Sequence, residues 1–158
     1  MSEVNRLLFV CAGNICRSPM AEALFRDLAK THSALETLEI ASAGTIAING
    51  NLPSTDSVEV TRREFGLEIA MHRARPLTRR LDADLILTMD RDTERGAKEL
   101  KLRGRVEMLG DYVGTGEEVP DPYGRSTRHY REVAQQLERL IGLLVGRLAI
   151  GGAEAPKL

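Results

Sequence analysis

The sequence predicts an α/β fold: a three-layer α/β/α arrangement with a four-stranded parallel sheet between two helical layers. Three observations carry that expectation. Four short runs, residues 7–10, 38–42, 84–89 and 105–109, have the length and apolar content of buried strands. The segments between them carry helical spacing, and strands alternating with helices pack as a parallel sheet covered on both faces. The chain has 158 residues, 42% apolar and 28% charged, which suits one domain over residues 1–150 with a sizeable core.

Residues 7–10 are the first strand. The loop Cys11-Ala12-Gly13-Asn14-Ile15-Cys16-Arg17-Ser18 follows, and helical spacing begins at once with Ala21, Leu24, Phe25 and Leu28. Ser18 reads as the N-cap and Pro19 as the first helical residue, where a missing N–H loses no partner. A cysteine that ends a strand therefore meets a tight loop and a helix N-terminus, a site for an anion made of free N–H groups and the positive end of a dipole. Ligands of parallel sheets sit at this carboxyl end of the strands. A thiolate needs positive surroundings, and Cys11 has them in the loop amides, the helix end and Arg17. Arg17 adds a planar fork for two phosphoryl oxygens, Ser18 a hydroxyl for the sulfur, and Gly13 or Asn14 a residue able to take positive φ. The chemistry indicated is attack by Cys11 on phosphorus, giving a cysteinyl-phosphate that water hydrolyses. A strand-end cysteine alone is an ordinary small buried hydrophobe. The whole Cys-x5-Arg-Ser string at a strand–helix junction is not. A Walker A loop is excluded because no Gly-Lys-Ser/Thr follows, and a dinucleotide fingerprint because Gly13 stands alone.

Residues 38–42 form the second strand, which Ala43-Gly44-Thr45 is expected to break. Ser42 and Thr45 read locally as turn residues. Residues 46–54, with Gly50, Asn51 and Pro53, form a loop. A helix over 55–65 has Gly66 as its stop. His72 reads locally as structural or exposed, and Arg73 and Arg75 as solvated or as a source of positive potential. After the third strand, Asp90 caps a polar helix running to about Leu100. Residues 110–124, rich in Gly and Pro, form an irregular surface segment holding Asp111, Glu117, Glu118 and Asp121. A phosphatase of this kind needs one acid to protonate the leaving oxygen, and the residues alone leave all four open. The last helix, 126–148, carries a core stripe of Tyr130, Val133, Ala134, Leu137, Leu140, Ile141, Leu144, Val145 and Leu148. Residues 151–158 read as a frayed tail.

The formal charge of −1 favours neither nucleic acid nor an anionic membrane as partner. No apolar stretch approaches the length of a membrane span, and no N-terminal signal pattern is present, so no membrane insertion is expected. Two cysteines five apart make neither a secreted disulfide framework nor a typical zinc site. The expected compartment is the cytoplasm, and no metal or cofactor is called for.

The string VCAGNICRSPMAE resembles the active-site loop of the bacterial low-molecular-weight protein tyrosine phosphatases, and the likeness extends over roughly residues 6–148. The resemblance implies a flavodoxin-like architecture and a metal-independent phosphatase acting on protein phosphotyrosine and small aryl phosphates, with inorganic phosphate as product and inhibitor. It places the nucleophile on Cys11, the phosphate-binding arginine on Arg17 and the thiolate-stabilising serine on Ser18, with the backbone of Ala12, Gly13, Asn14, Ile15, Cys16, Arg17 and Ser18 cradling the phosphate. Asn14 would hold the loop geometry, supported by Ser42 and by His72, the latter bonded to the serine and asparagine. Asp-Pro-Tyr resembles the family's general-acid loop, which makes Asp121 the acid and then the base. Ile15, Ile46 and Tyr123 would line the substrate cleft, whose loop 46–49 here carries no aromatic residue. Cys16 would trap an oxidised Cys11 as a disulfide.

Three alternatives accompany this reading. Protein arginine phosphatases form a subset of the same family, and the segments PMAE and DYVGTGEEVPDPYG look like theirs. They carry a small threonine where Ile15 stands, and Ile15 resembles the tyrosine-directed members. Arsenate reductases can share the scaffold but relay electrons through further cysteines, which this chain lacks beyond Cys11 and Cys16. A non-catalytic phosphate-binding regulator is disfavoured because nucleophile, arginine and acid are all present.

Overall fold

The computed structural model describes residues 4–150, and the expected tail at 151–158 lies outside them. In chain order the elements are β1 (Arg6–Cys11), α1 (Arg17–Ala29), β2 (Glu39–Gly44), α2 (Thr55–Phe65), β3 (Leu85–Thr88), α3 (Arg91–Glu99), β4 (Arg105–Met108), the single-turn α4 (Leu109–Tyr112) and α5 (Thr127–Ala149). A short 3-10 turn, Ser33–Leu35, joins α1 to β2. The four strands make one parallel sheet in the order β2-β1-β3-β4.

Side-chain alternation along the strands divides the core in two. Leu7, Phe9 and Cys11 of β1, with Leu85 and Leu87 of β3, face a layer built from α1, α2 and α5. Leu8, Val10 and Ile86 face the other way, toward Leu77, Ala83 and Ala97 of α3. Burial on both faces is why β1 and β3 read as continuous apolar runs. The stripe expected on α5 is buried along its whole length, and Phe25 of α1 packs against Phe9 with ring centroids 5.9 Å apart. Helix α2 begins at its Ser54 cap and ends at Gly66, whose φ of 66° is the left-handed value that stops a helix. Among the described residues, no helix is long and apolar enough to cross a membrane.

Three departures from the expected boundaries have a physical cause. β2 continues through Ala43 and Gly44, where Gly44 pairs with Cys11. A Cβ on Gly44 would lie 2.4 Å from the Ala12 carbonyl, so this glycine permits a close approach and does not break the strand. β4 ends at Met108, one residue short of the expected strand, and Leu109 opens a helical turn that runs into the segment expected to be irregular. That turn folds tightly because Gly110 lacks the Cβ that would sit 2.0 Å from the Glu117 carbonyl. Finally, Cys16 occupies the N-cap of α1, with no side-chain cap bond, and Ser18 and Pro19 stand inside the first turn. Ser18 cannot cap because its hydroxyl is engaged by Cys11 and Asn14.

Candidate active site

Sheet and helix meet at Cys11. The residue is 2% exposed, and its sulfur lies 3.2 Å from the Asn14 backbone nitrogen and 3.0 Å from Ser18 Oγ. Asn14 Nδ2 donates to Ser18 Oγ at 2.8 Å, which leaves the Ser18 hydrogen free to point at the sulfur. Two donors therefore converge on Sγ, as a sulfur anion requires. The amides of Gly13, Ile15, Cys16, Arg17 and Ser18 meet no acceptor among the described residues. They open at the N-terminus of α1, whose first turn carries no acidic residue to oppose its dipole. This is a cradle for an oxyanion held directly above a thiol.

Asn14 carries the strain of the loop, with φ of 57°. Asparagine takes this left-handed conformation more readily than most residues, and here its side chain locks it there. Nδ2 also donates to Ser42 Oγ at 3.0 Å, and Oδ1 accepts from the Arg75 N–H at 3.0 Å. His72 Nε2 donates to the Asn14 carbonyl at 2.7 Å but makes no bond to Ser18 or Ser42, unlike the pairing with both residue types that the resemblance implies. Arg75 Nε donates to the Ser42 carbonyl at 3.1 Å, so Arg75 is a strut of the loop. On the other flank, the Ile15 carbonyl accepts from Ser54 N and Ser57 Oγ, both at 2.9 Å, which turns that peptide outward.

Arg17 is almost wholly buried at 2% exposure. Its Nη1 donates to Asp90 Oδ2 at 2.7 Å and to the Val119 carbonyl at 2.9 Å, while Nη2 lies 3.7 Å from Asp121 Oδ2. Nε has no partner. One nitrogen anchors the guanidinium and the Nε–Nη2 edge stays available as a fork for two oxygens. Burial works against the charge, but the nearby Cys11 and Asp90 outweigh it and hold the guanidinium pKa above its ordinary value. Asp90 is held below the usual carboxylate range. Burial opposes that shift and is outweighed by hydrogen bonds from Thr93 and Arg17. Asp90 also caps α3 in a reciprocal capping box with Thr93. The cap was legible in the sequence and the tie to Arg17 was not.

The four carboxylates of residues 110–124 separate by their partners. Asp111 is bound by both terminal nitrogens of Arg91, at 2.6 and 3.0 Å. Glu117 is gripped by the fork of Arg139, both bonds at 2.7 Å, and Glu118 accepts from the Arg91 N–H at 2.9 Å. Asp121 alone of the four lines the cavity over Cys11. Its Oδ1 accepts from the Tyr123 N–H at 3.1 Å, an Asx turn that sets its direction.

That cavity, about 250 Å³, is lined by Cys11, Ala12, Gly13, Ile15, Cys16, Arg17, Ile46, Ile48, Asn51, Asp121 and Tyr123. Ile46, Ile48 and Tyr123 are exposed at its mouth and make apolar walls. Ile48 and Asn51 belong to the loop expected to wall the cleft, but nothing local singles them out within it. Cys16 is a free thiol, like Cys11. Its sulfur lies 3.1 Å from Ser54 Oγ and 3.5 Å from the Tyr130 hydroxyl. Burial pushes the Cys16 thiol up, against the opposing effect of those hydrogen bonds. Among the described residues, no group of three or more His, Cys, Asp or Glu side chains converges as a metal site.

With this geometry established, similarity to known proteins is informative. Residues 6–151 match the family described as low molecular weight phosphotyrosine protein phosphatase. The chain is 36% identical to the low molecular weight protein-tyrosine-phosphatase PtpB of Staphylococcus haemolyticus, covering 88% of this chain and 96% of that protein. It is 35% identical to the protein-arginine-phosphatase of Bacillus subtilis, covering 90% and 95%. Among solved structures, the tyrosine phosphatase Wzb of Escherichia coli K30 in complex with sulphate superposes with a TM-score of 0.81 at 30% identity, covering 92% of this chain and 99% of that one. A mutant of YwlE from Bacillus subtilis gives a TM-score of 0.82 at 32% identity, covering 90% and 97%.

Proposed function

The chain belongs to the low molecular weight phosphotyrosine protein phosphatase family, a family of cysteine-based phosphatases, and on that premise we propose that it hydrolyses protein phosphotyrosine and small aryl phosphates. The observation that carries the tyrosine reading is the apolar wall of the cavity. Ile15, Ile46, Ile48 and Tyr123 line the cavity together with Cys11 and give it the apolar lining that an aryl ring would take.

In the first step Cys11 Sγ attacks phosphorus in line with the ester oxygen. The S–P bond forms as the P–O bond breaks, while the loop amides and the free edge of Arg17 hold the equatorial oxygens. Asp121 gives its proton to the departing phenolate. In the second step water attacks phosphorus, Asp121 takes the water's proton, and inorganic phosphate leaves with the thiolate restored. The positive field comes from Arg17 and backbone dipoles, so the reaction runs without a metal ion. Two free thiols suit a reducing compartment, and we place the enzyme in the cytoplasm.

Phosphoarginine is the second reading, favoured by the likeness to the arginine phosphatase of Bacillus subtilis. Parallel turnover of phosphotyrosine, phosphoarginine and phosphoserine peptides decides between them. Phosphotyrosine is expected to lead, and Ile15→Thr to shift the balance toward phosphoarginine. A wild-type preference for phosphoarginine would replace the tyrosine reading.

A further inference from the structure

Away from the catalytic cleft, the turns that precede β3 and β4 enclose a cavity of about 430 Å³ lined by Arg79, Arg80, Asp82, Lys101, Leu102 and Arg103. Its carboxylate is already spent, because Asp82 Oδ2 lies 2.8 Å from Arg6 Nη1. Among the described residues, Arg79, Arg80, Lys101, Arg103 and Arg131 are the cationic side chains with neither a carboxylate nor another hydrogen-bond partner. All but Arg131 line this one cavity. The fold brings them together by a close approach. A Cβ on Gly104 would sit 2.1 Å from the Ala83 carbonyl, so glycine there lets the two turns touch. Lys101 meanwhile holds a left-handed φ of 52°, a conformation that favours glycine or asparagine. Clustered like charges and a strained lysine both cost stability, and among the described residues none of the four cations has a carboxylate partner. Such local conflicts mark surfaces selected for something other than folding.

We propose that this cavity is a docking surface for an acidic segment of the protein substrate. The chain's net charge of −1 gives no general attraction for polyanions, so the recognition is local and short-ranged. The surface is separate from the cleft. The two cavities share no residue. The basic turns lead into the N-terminal ends of β3 and β4, whereas Cys11 closes the C-terminal end of parallel β1. A six-residue strand sets that separation at about 20 Å. Only a substrate longer than a short phosphopeptide spans both. The proposal rests on the phosphoprotein reading for the identity of the partner, and docking is measurable without turnover.

The test is fluorescence anisotropy of a labelled oligoglutamate peptide with the full chain and with Arg79→Gln/Arg80→Gln/Lys101→Asn/Arg103→Gln, alongside p-nitrophenyl phosphate hydrolysis by both. Expected are salt-sensitive binding to wild type, binding at least about ten-fold weaker for the variant, equal hydrolysis by the two proteins, and no inhibition of hydrolysis by the peptide. Absence of binding, binding unchanged in the variant, or a peptide that competes with p-nitrophenyl phosphate would overturn the proposal. So would a wild type that ignores the peptide but binds phosphatidylserine vesicles through these residues. Failure of wild-type hydrolysis would instead count against the phosphatase reading, because docking is read independently.

Discussion

Arg17 and Val119 are joined by a hydrogen bond of 2.9 Å from Nη1 to the backbone carbonyl, and the Val119 N–H donates to the Met89 carbonyl at 2.7 Å. Arg17 therefore also pins the backbone two residues before Asp121. The cradle and the loop that carries Asp121 are one mechanical unit, and Asp90 is its third member through the same Nη1.

Asp90→Ala removes both a helix cap and the carboxylate that compensates a buried guanidinium. Breaking such a pair costs about 3 kcal/mol, and the freed Arg17 is expected to lose its aim, with turnover falling about 100-fold. Asp90→Asn keeps an oxygen for the Thr93 cap and should recover much of the stability but little of the activity. Urea unfolding together with p-nitrophenyl phosphate kinetics separates the two roles.

Asn14 is tested by a pair of variants. Asn14→Ala loses the bonds to Ser18, Ser42 and Arg75 and must still adopt positive φ, for a combined loss of about 3 kcal/mol. Asn14→Gly loses the same bonds without the backbone strain, so it should be the more stable of the two. Both should be poorly active, because the Asn14 N–H that points at Cys11 is no longer held. Equal stabilities would mean that the left-handed backbone is not costly there.

How much of this was legible depended on whether a feature has a side-chain signature. The apolar run ahead of Cys11, the spacing from Cys11 to Arg17 and the stripe of α5 repeat in the structure because burial and helix geometry act directly on side-chain type. The N-cap of α1 was misread because Ser18 has two possible uses, and its use here depends on Asn14 and Cys11, which local pattern does not weigh. Gly44 reads as a breaker in one dimension, whereas three dimensions reveal the Ala12 carbonyl beside it. Val119 was invisible, since a backbone carbonyl leaves no trace in composition. Without the Asp-Pro-Tyr resemblance, the choice among Asp111, Glu117, Glu118 and Asp121 would have needed the partners Arg91 and Arg139, each about twenty residues away in sequence from the carboxylate it holds.

Acid should unfold the protein through carboxylates that the fold holds ionised. The fork of Arg139 takes Glu117 from 4.5 to about 2, and Asp90 is also depressed. Both folded values lie below the unfolded ones, so the unfolded chain binds protons first as pH falls. Their stabilisation is complete above the unfolded value and disappears as pH drops toward the folded one. The melting temperature should therefore decline below about pH 4.5, with a shallower decline in Glu117→Gln. Thermal melts across pH check the slope, and an unchanged slope in the variant would remove Glu117 from the account.

Cys11→Ser should abolish turnover while leaving the fold intact. Asp121→Asn should slow it about 100-fold or more on phenyl phosphate, and less on substrates whose leaving group needs no proton. EDTA should have no effect on either protein. A Cys11→Ser enzyme that turns over p-nitrophenyl phosphate normally would displace the sulfur from its assigned place.

Cys16 supplies the last prediction. It shares the loop with Cys11, is free, and is packed against Ser54 and Tyr130, with burial raising its thiol above the ordinary range. A protonated Cys16 does not compete with Cys11 for phosphorus. Peroxide is expected to oxidise a Cys11 thiolate to a sulfenic acid. The Cys16 sulfur would then attack that sulfur, the S–S bond would form, and the hydroxyl would leave as water with the thiol proton. The disulfide returns to two thiols with dithiothreitol, whereas a sulfinic acid does not. Wild type should accordingly recover from a peroxide pulse, and Cys16→Ser should lose a fraction of its activity permanently, with the added mass of two oxygens on the peptide bearing Cys11. Full recovery of Cys16→Ser, matched to wild type at equal peroxide exposure, would show that the second cysteine guards nothing.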